Sequence, residues 1–196
     1  MSADSRLAPN PIEREDWPDG SIVLHNHAAL PDPLPDILDR FDQWVANNSA
    51  ATFITERVDG AIVTDSYGDI DRRSDAIATD LTEQGITPGA RIAVLDGPGR
   101  RHAALKIACL KAGLVHVPLS PLLLGSDHGR TRLAGLLAAA APRLLFARDA
   151  AVPDELGAFD VEPIHALDAT VDRNFSRPAH TPDDPAAVYF TSGSTG

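Results

Sequence analysis

Two mostly apolar runs, separated by one stretch of helix length, constrain the fold of this chain more than any other feature. They are RIAVL at residues 91–95 and LVHVPL at residues 114–119. Runs that are apolar at consecutive positions are typical of parallel strands covered on both faces. The stretch between them, HAALKIACLKAG, predicts a helix closed by Gly113. Strand, helix and strand in this order form a βαβ unit, whose crossover is right-handed in nearly all proteins.

The alternation of strands and helices continues toward the end of the sequence. Ser126 is a suitable N-cap for a helix that runs to about Ala141. A third strand is predicted at residues 143–147, and EPIHAL at residues 162–167 is a candidate for a fourth. This alternation predicts an α/β fold, in which a mostly parallel sheet is flanked by helices.

The sequence before residue 91 predicts a helix, a hairpin and a second helix. Apolar residues at helical spacing place the first helix from Ile37 to about Asn48. Two β-rich runs flank the Asp-Gly pair at residues 59–60, which is a strong hairpin signal. The second helix begins with Ser66 and Asp69 at the spacing of a capping box.

The first residues of the chain have a different character. Prolines are frequent there, and apolar periodicity is weak. Such a segment is typical of an extended arm that lies over a surface. The sequence therefore predicts an extended N-terminal arm at residues 1–35 and an α/β portion, which begins with the first helix and the β-hairpin, at residues 36–196.

Charge and composition narrow the classes of partner. The chain carries 17 Lys and Arg against 28 Asp and Glu, a formal net charge of -11. This balance opposes nucleic-acid binding and would repel an anionic membrane surface. No apolar run approaches the roughly 20 residues of a membrane span. Cys109 is the sole cysteine and is interpreted as a core thiol on a helix, so no disulfide can form within the chain, which fits a reducing compartment. The first residues lack the basic and apolar regions of a secretory signal. The sequence therefore predicts a cytoplasmic protein.

The end of the sequence joins a predicted strand to a loop of hydroxyls and glycines. Glycines allow positive φ angles and a close backbone approach, and successive N–H groups can converge on an anion. The loop predicts a phosphate-binding site, although its spacing is not that of a Walker P-loop. A Ser/Gly-rich linker is the alternative. The loop comprises Thr191, Ser192, Gly193, Ser194, Thr195 and Gly196.

The terminal stretch AAVYFTSGSTG resembles the phosphate-binding motif of the adenylate-forming (AMP-dependent synthetase/ligase) enzymes, which include acyl-CoA synthetases, peptide-synthetase adenylation domains and luciferases. Residues 66–95 and 104–121 are similar to that family's first core helices and strands, with Ala90 where Asp is usual. Residues 34–57 and 117–151 resemble the corresponding parts of feruloyl-CoA synthase-like aromatic acid:CoA ligases.

The resemblance implies a reaction in two halves. A carboxylate attacks the α-phosphorus of Mg-ATP to give an acyl-adenylate and pyrophosphate, and the thiol of CoA then takes the acyl group. Thr191 to Gly196 would hold the β- and γ-phosphates, with Thr191 and Thr195 as direct hydroxyl contacts. The resemblance implies ATP, CoA and a carboxylic acid as substrates, together with Mg²⁺. The similarity to feruloyl-CoA synthase-like ligases implies that the acid is aromatic.

The family's motif continues with a lysine-bearing tail that has no counterpart in these residues. The family's later adenine, ribose and catalytic residues match no position either, so no catalytic residue and no metal ligand is assigned. We therefore expect an incomplete AMP-binding domain, the N-terminal fragment of a longer enzyme, inactive by itself. Two alternatives stay open: an adenylation domain that loads a carrier protein, and a truncated, non-catalytic paralogue that acts as a binding module.

Other candidate sites are weaker. DGPGRR at residues 96–101 has too few glycines for the dinucleotide fingerprint and is interpreted as a plain βα turn. His25 and His27 lack zinc-ligand spacing and are interpreted as surface residues. His102 and His116 are interpreted as structural histidines.

Overall fold

A four-stranded parallel sheet organises the larger of the two units into which the chain divides. The units are Met1–Asp36 and Ile37–Gly196. The computed structural model describes residues 12–26, 36–148, 156, 160–168 and 173–191. The sheet and the described α-helices all belong to the larger unit.

The described part of the smaller unit is an antiparallel hairpin. It pairs β1 (Ile12–Asp16) with β2 (Ile22–Asn26). Asp19 accepts the N–H of Ser21 at 2.9 Å within the connecting turn. The sequence patterns predicted no strands here, only an arm over residues 1–35. The rest of that arm lies outside the described residues, and its placement stays a prediction.

The first helix and hairpin of the larger unit are confirmed. They are α1 (Ile37–Asn48), β3 (Thr52–Val58) and β4 (Ala61–Ser66). Between the strands, Asp59 has φ 49° and Gly60 has φ 84°. Two successive left-handed residues make a tight turn whose twist matches that of antiparallel strands. The Asp-Gly pair therefore fixes the register of the hairpin.

The second helix, α2 (Tyr67–Glu83), begins with the predicted capping box. The Ser66 hydroxyl oxygen accepts the N–H of Asp69 at 3.1 Å, and the Asp69 carboxylate accepts the N–H of Ser66 at 2.9 Å. The hydroxyl of Ser66 also donates to that carboxylate, and these bonds lower the pKa of Asp69. Two backbone donors at the start of the helix are thereby satisfied.

The parallel sheet confirms the predicted α/β fold. Its strand order is β6-β5-β7-β8, and every neighbouring pair is parallel. Helix α3 joins β5 to β6, and a short 3₁₀ helix followed by α4 joins β6 to β7. The elements are β5 (Arg91–Leu95), α3 (Arg100–Lys111), β6 (Val115–Leu119), the 3₁₀ helix Pro121–Gly125, α4 (Asp127–Ala140), β7 (Leu144–Ala147) and β8 (Val161–Pro163).

The core lies on both faces of the sheet. Side chains alternate across a strand, so neighbouring residues of β5 face opposite layers. Ile92 and Val94 pack in the cluster that includes α2 and α3, whereas Ala93 and Leu95 pack in the cluster that includes α4. Coverage on both faces is why β5 reads as a continuous apolar run.

The fourth strand is shorter than predicted and begins earlier. β8 ends at Pro163, and a 3₁₀ helix, Ile164–Asp168, follows it. Proline lacks the N–H that would extend the ladder. Ile164 and Leu167, three residues apart, are both buried, which suits a turn of 3₁₀ helix better than a strand. The prediction of a strand at residues 164–167 is therefore wrong.

The start of α4 lies so close to the preceding 3₁₀ helix that only glycine fits at residue 129. A methyl group there would overlap the carbonyl oxygen of Leu123, whereas one at Gly135 on the same helix would meet nothing within 4 Å. We expect Gly129→Ala to lower the free energy of unfolding by about 2 kcal/mol. Gly135→Ala is expected to raise it by up to about 1 kcal/mol. Denaturant titration of both variants measures the difference, and equal effects would contradict this packing.

Within the described ranges, no helix has both the length and the apolar character that crossing a membrane requires.

Candidate functional site

The segment before the predicted phosphate loop pairs with the outer edge of β6. The N–H of His116 donates to the carbonyl of Ala186 at 3.1 Å, and the N–H of Val188 donates to the carbonyl of His116 at 3.0 Å. These two bonds form a parallel bridge centred on Ala187. The terminal segment therefore runs in the same direction as the strands of the sheet.

The strand predicted at residues 186–190 is reduced to this one bridge, and Pro118 explains why. In a parallel ladder the next bond would come from the N–H two residues beyond His116. That residue is Pro118, which has no N–H to donate. Pairing therefore stops after Val188, and the rest of the segment is held by side chains.

Side-chain packing holds the segment beyond the bridge. Val188 and Phe190 pack against the core cluster that contains Leu133 and Leu137 of α4, while Tyr189 between them is 62% exposed. This alternation is that of an extended chain with one face on the core. The segment thus reaches Thr191 with a defined direction.

Thr191 lies past the carboxyl end of the sheet. Ala187 is level with His116, the second residue of β6, and β6 ends three residues later at Leu119. Ligands of open α/β sheets bind outside the carboxyl ends of the strands. Of the predicted phosphate-binding residues, the structure describes only Thr191. Residues 192–196 lie outside the described ranges, and their role stays a prediction.

A carboxylate of the protein itself caps the helix that follows the turn DGPGRR. The N-terminus of α3, which would attract an anion, faces the carboxylate of Glu56 from β3. Glu56 Oε2 accepts the N–H of Arg100 at 3.0 Å. A side chain on Gly99 would approach Glu56 Oε1 to 2.9 Å. A protein carboxylate thus caps the helix, which agrees with the interpretation as a plain βα turn.

The two arginines of this turn are engaged by acidic side chains. Arg100 Nη2 lies 2.9 Å from Asp65 Oδ1, and Arg101 Nε donates to Asp168 Oδ1 at 2.9 Å. Asp65 is only 4% exposed, and its other oxygen lies 3.0 Å from Arg73 Nη1. Sequence reasoning missed this buried ion cluster, because Arg100 on α3 is distant in the chain from the hairpin and helix that carry Asp65 and Arg73.

The side chains of His102 from α3 and His116 from β6 form a pair in which His116 is buried and His102 is partly buried. Their Nε2 atoms lie 3.1 Å apart, and His102 Nδ1 lies 3.3 Å from the carbonyl oxygen of Gly97. A carbonyl only accepts, so His102 carries its proton on Nδ1 and its Nε2 accepts from His116. Nδ1 of His116 is buried without a hydrogen-bond partner. The sequence predicted structural histidines, but not their contact.

The histidine pair predicts a loss of stability in mild acid. Burial lowers the pKa of both rings, that of His116 to about 4, and the neighbouring His102 contributes. Below a pH of about 6.5 the unfolded chain therefore binds protons that the folded chain does not. We expect the free energy of unfolding to fall by about 2 kcal/mol as the pH falls from about 7 to about 5, because of His116. Urea titrations of wild type and His116→Phe at several pH values measure this contribution. Parallel pH profiles of the two proteins would contradict it.

Two of the remaining candidates, Cys109 and His25, lie among the residues that the structure describes. Cys109 is fully buried, and burial raises the pKa of its thiol to about 12, so it is the predicted core thiol and not a nucleophile. His25 Nε2 lies 2.9 Å from Glu15 Oε2 on the hairpin, and His27 is outside the described residues. No cluster of His, Cys, Asp or Glu suited to a metal ion occurs among the residues that the structure describes.

Comparison with known proteins agrees with this geometry. The family described as AMP-binding enzyme matches residues 41–196. The chain belongs to the AMP-binding enzyme family. Its fold matches the N-terminal part of adenylate-forming enzymes: the structure of VinN in complex with 3-methylaspartate superposes with a TM-score of 0.67 and 26% identity, over 81% of this chain and 44% of VinN.

Relatives of this AMP-binding chain include peptide synthetases and carrier-protein ligases. It is 34% identical, over 92% of its length, to a probable non-canonical nonribosomal peptide synthetase, CymA of Salinispora arenicola. It is 32% identical, over 67% of its length, to the L-proline–[L-prolyl-carrier protein] ligase of Streptomyces coelicolor. The chain spans 2% and 28% of the lengths of these relatives.

Proposed function

We propose that this protein activates a carboxylic acid with ATP to form an acyl-adenylate. The observation that carries the proposal is the bridge between Ala187 and His116. It aligns the terminal segment with the parallel sheet and brings Thr191, the first residue of the glycine- and hydroxyl-rich loop, past the carboxyl ends of the strands. Membership of the AMP-binding family supports the same assignment.

The reaction requires the negative charge of the pyrophosphate leaving group to be stabilised. A carboxylate oxygen forms a bond to the α-phosphorus of ATP, the bond from that phosphorus to the bridging oxygen breaks, and pyrophosphate leaves. Residues Thr191–Gly196 are proposed to hold the β- and γ-phosphates through backbone N–H groups and hydroxyls. Mg²⁺ enters with ATP as part of the substrate.

The acyl group is then proposed to pass to a thiol, with release of AMP and of the thiol proton. The similarity of residues 34–57 and 117–151 to feruloyl-CoA synthase-like ligases favours CoA as that thiol and an aromatic acid as substrate. The relatives favour a carrier protein, because one of them is a carrier-protein ligase for L-proline. The VinN complex with 3-methylaspartate adds amino acids to the candidate substrates.

The test is isotope exchange between pyrophosphate and ATP, catalysed by the intact protein. A panel of aromatic acids and amino acids is offered one at a time. Exchange that depends on one class of acid supports the proposal, and no exchange with any acid argues for a non-catalytic paralogue. CoA and carrier proteins are then offered to the activated acid, and the formation of a thioester identifies the acceptor.

A further inference from the structure

One hydrogen bond links α4 to the start of the proposed phosphate loop. Arg132 lies on the exposed side of α4, and its Nη2 donates to the carbonyl oxygen of Thr191 at 3.3 Å. The two residues are far apart in the sequence, and the bond adds a polar contact to the packing of Val188 and Phe190 against the α4 cluster. Its acceptor is the backbone of the residue at which the loop begins.

This contact lies where the sheet no longer fixes the segment. The ladder to β6 ends at Val188, because Pro118 offers no N–H. Phe190 packs on the core, but packing of a side chain leaves the orientation of the following peptide group free. A donor to the Thr191 carbonyl fixes that orientation.

We propose that Arg132 is a positioning residue of the phosphate loop. It acts through the Thr191 carbonyl and holds the residue at which the loop begins. This inference rests on the proposed function, because positioning has a catalytic consequence only if the loop holds the phosphates of ATP. A positioned nest of N–H groups needs less reorganisation when the anion binds.

Arg130 provides a matched control on the same helix. Its guanidinium donates to the carbonyl of Leu124 at 3.0 Å and also pairs with Asp127, so it braces the start of α4 and not the loop. Arg130→Met and Arg132→Met remove the same charge from the same helix. Only the second removes the contact with Thr191.

The experiment measures pyrophosphate exchange in the intact protein for Arg132→Met, Arg132→Lys and Arg130→Met. We expect Arg132→Met to raise KM for ATP about 5- to 10-fold, with KM for the acid within about twofold of wild type. Arg132→Lys should recover part of the loss, and Arg130→Met should leave both KM values near wild type. Hydrogen exchange over residues 186–191 should be faster in Arg132→Met than in Arg130→Met.

The outcomes separate the inference from the proposed function. A wild-type protein without pyrophosphate exchange overturns both. An active wild type whose KM for ATP is the same in Arg132→Met and Arg130→Met overturns the positioning role alone. Equal rises of KM for ATP and for the acid, with a lower Tm, would show a structural role only and also overturn it.

Discussion

Gly193→Val in the intact protein is expected to reduce pyrophosphate exchange by about 100-fold or more. The proposed loop surrounds phosphate oxygens with backbone N–H groups, and a branched side chain would keep the backbone from approaching them. The loss of a single preorganised donor to a developing charge costs about 100- to 1,000-fold in rate. Initial rates at saturating acid, with ATP varied, measure the effect.

Two further variants locate the effect in the phosphate loop. Thr191→Val removes a hydroxyl at nearly constant volume and is expected to cost about 10-fold, whereas Thr191→Ser should stay close to wild type. Tyr189→Phe is the control, because Tyr189 is exposed and lies two residues before the loop. A Gly193→Val protein that keeps most of its exchange activity would show that the phosphates bind elsewhere.

Lys111→Met is expected to lower the free energy of unfolding by about 3 kcal/mol, the largest single effect on stability proposed for this chain. Lys111 is 1% exposed, and its Nζ lies 2.7 Å from Asp71 Oδ1 and 2.6 Å from Asp75 Oδ1. The ammonium also lies 5.7 Å from the centre of the Phe41 ring. Removing it leaves two adjacent carboxylates of α2 without their shared cation. Denaturant titration of the folded protein measures the loss.

Lys106→Met is the matched control for Lys111→Met. Lys106 lies on the same helix but is only partly buried. We expect its replacement to change stability by less than about 0.5 kcal/mol. If the two variants lose the same amount, the contribution of Lys111 is not the buried ion pair between α2 and α3.

Local patterns in the sequence predicted most of the secondary structure, because each pattern acts within a few residues. The capping box at Ser66 and Asp69 and the Asp-Gly turn at residues 59–60 are formed by neighbours in the chain. The apolar run at residues 91–95 indicates a strand that is buried on both faces of the sheet. Any crossover helices that cover the two faces would produce this pattern. These features could be predicted without knowing the rest of the fold.

Contacts between segments that are distant in the chain could not be predicted from the sequence. Lys111 meets its carboxylates across two helices, and His102 meets His116 between a helix and a strand. No local pattern encodes such pairs. The terminal strand was predicted too long because its pairing depends on the neighbouring strand, where Pro118 removes the donor that would continue the ladder.

The most direct test of this account is a crystal structure of the intact protein with a non-hydrolysable ATP analogue and Mg²⁺. We expect the β- and γ-phosphate oxygens to lie within hydrogen-bond distance of backbone N–H groups and hydroxyls of Thr191–Gly196, past the carboxyl end of β6. Phosphates bound elsewhere, with the loop turned toward solvent, would contradict the assignment of this loop and the function built on it.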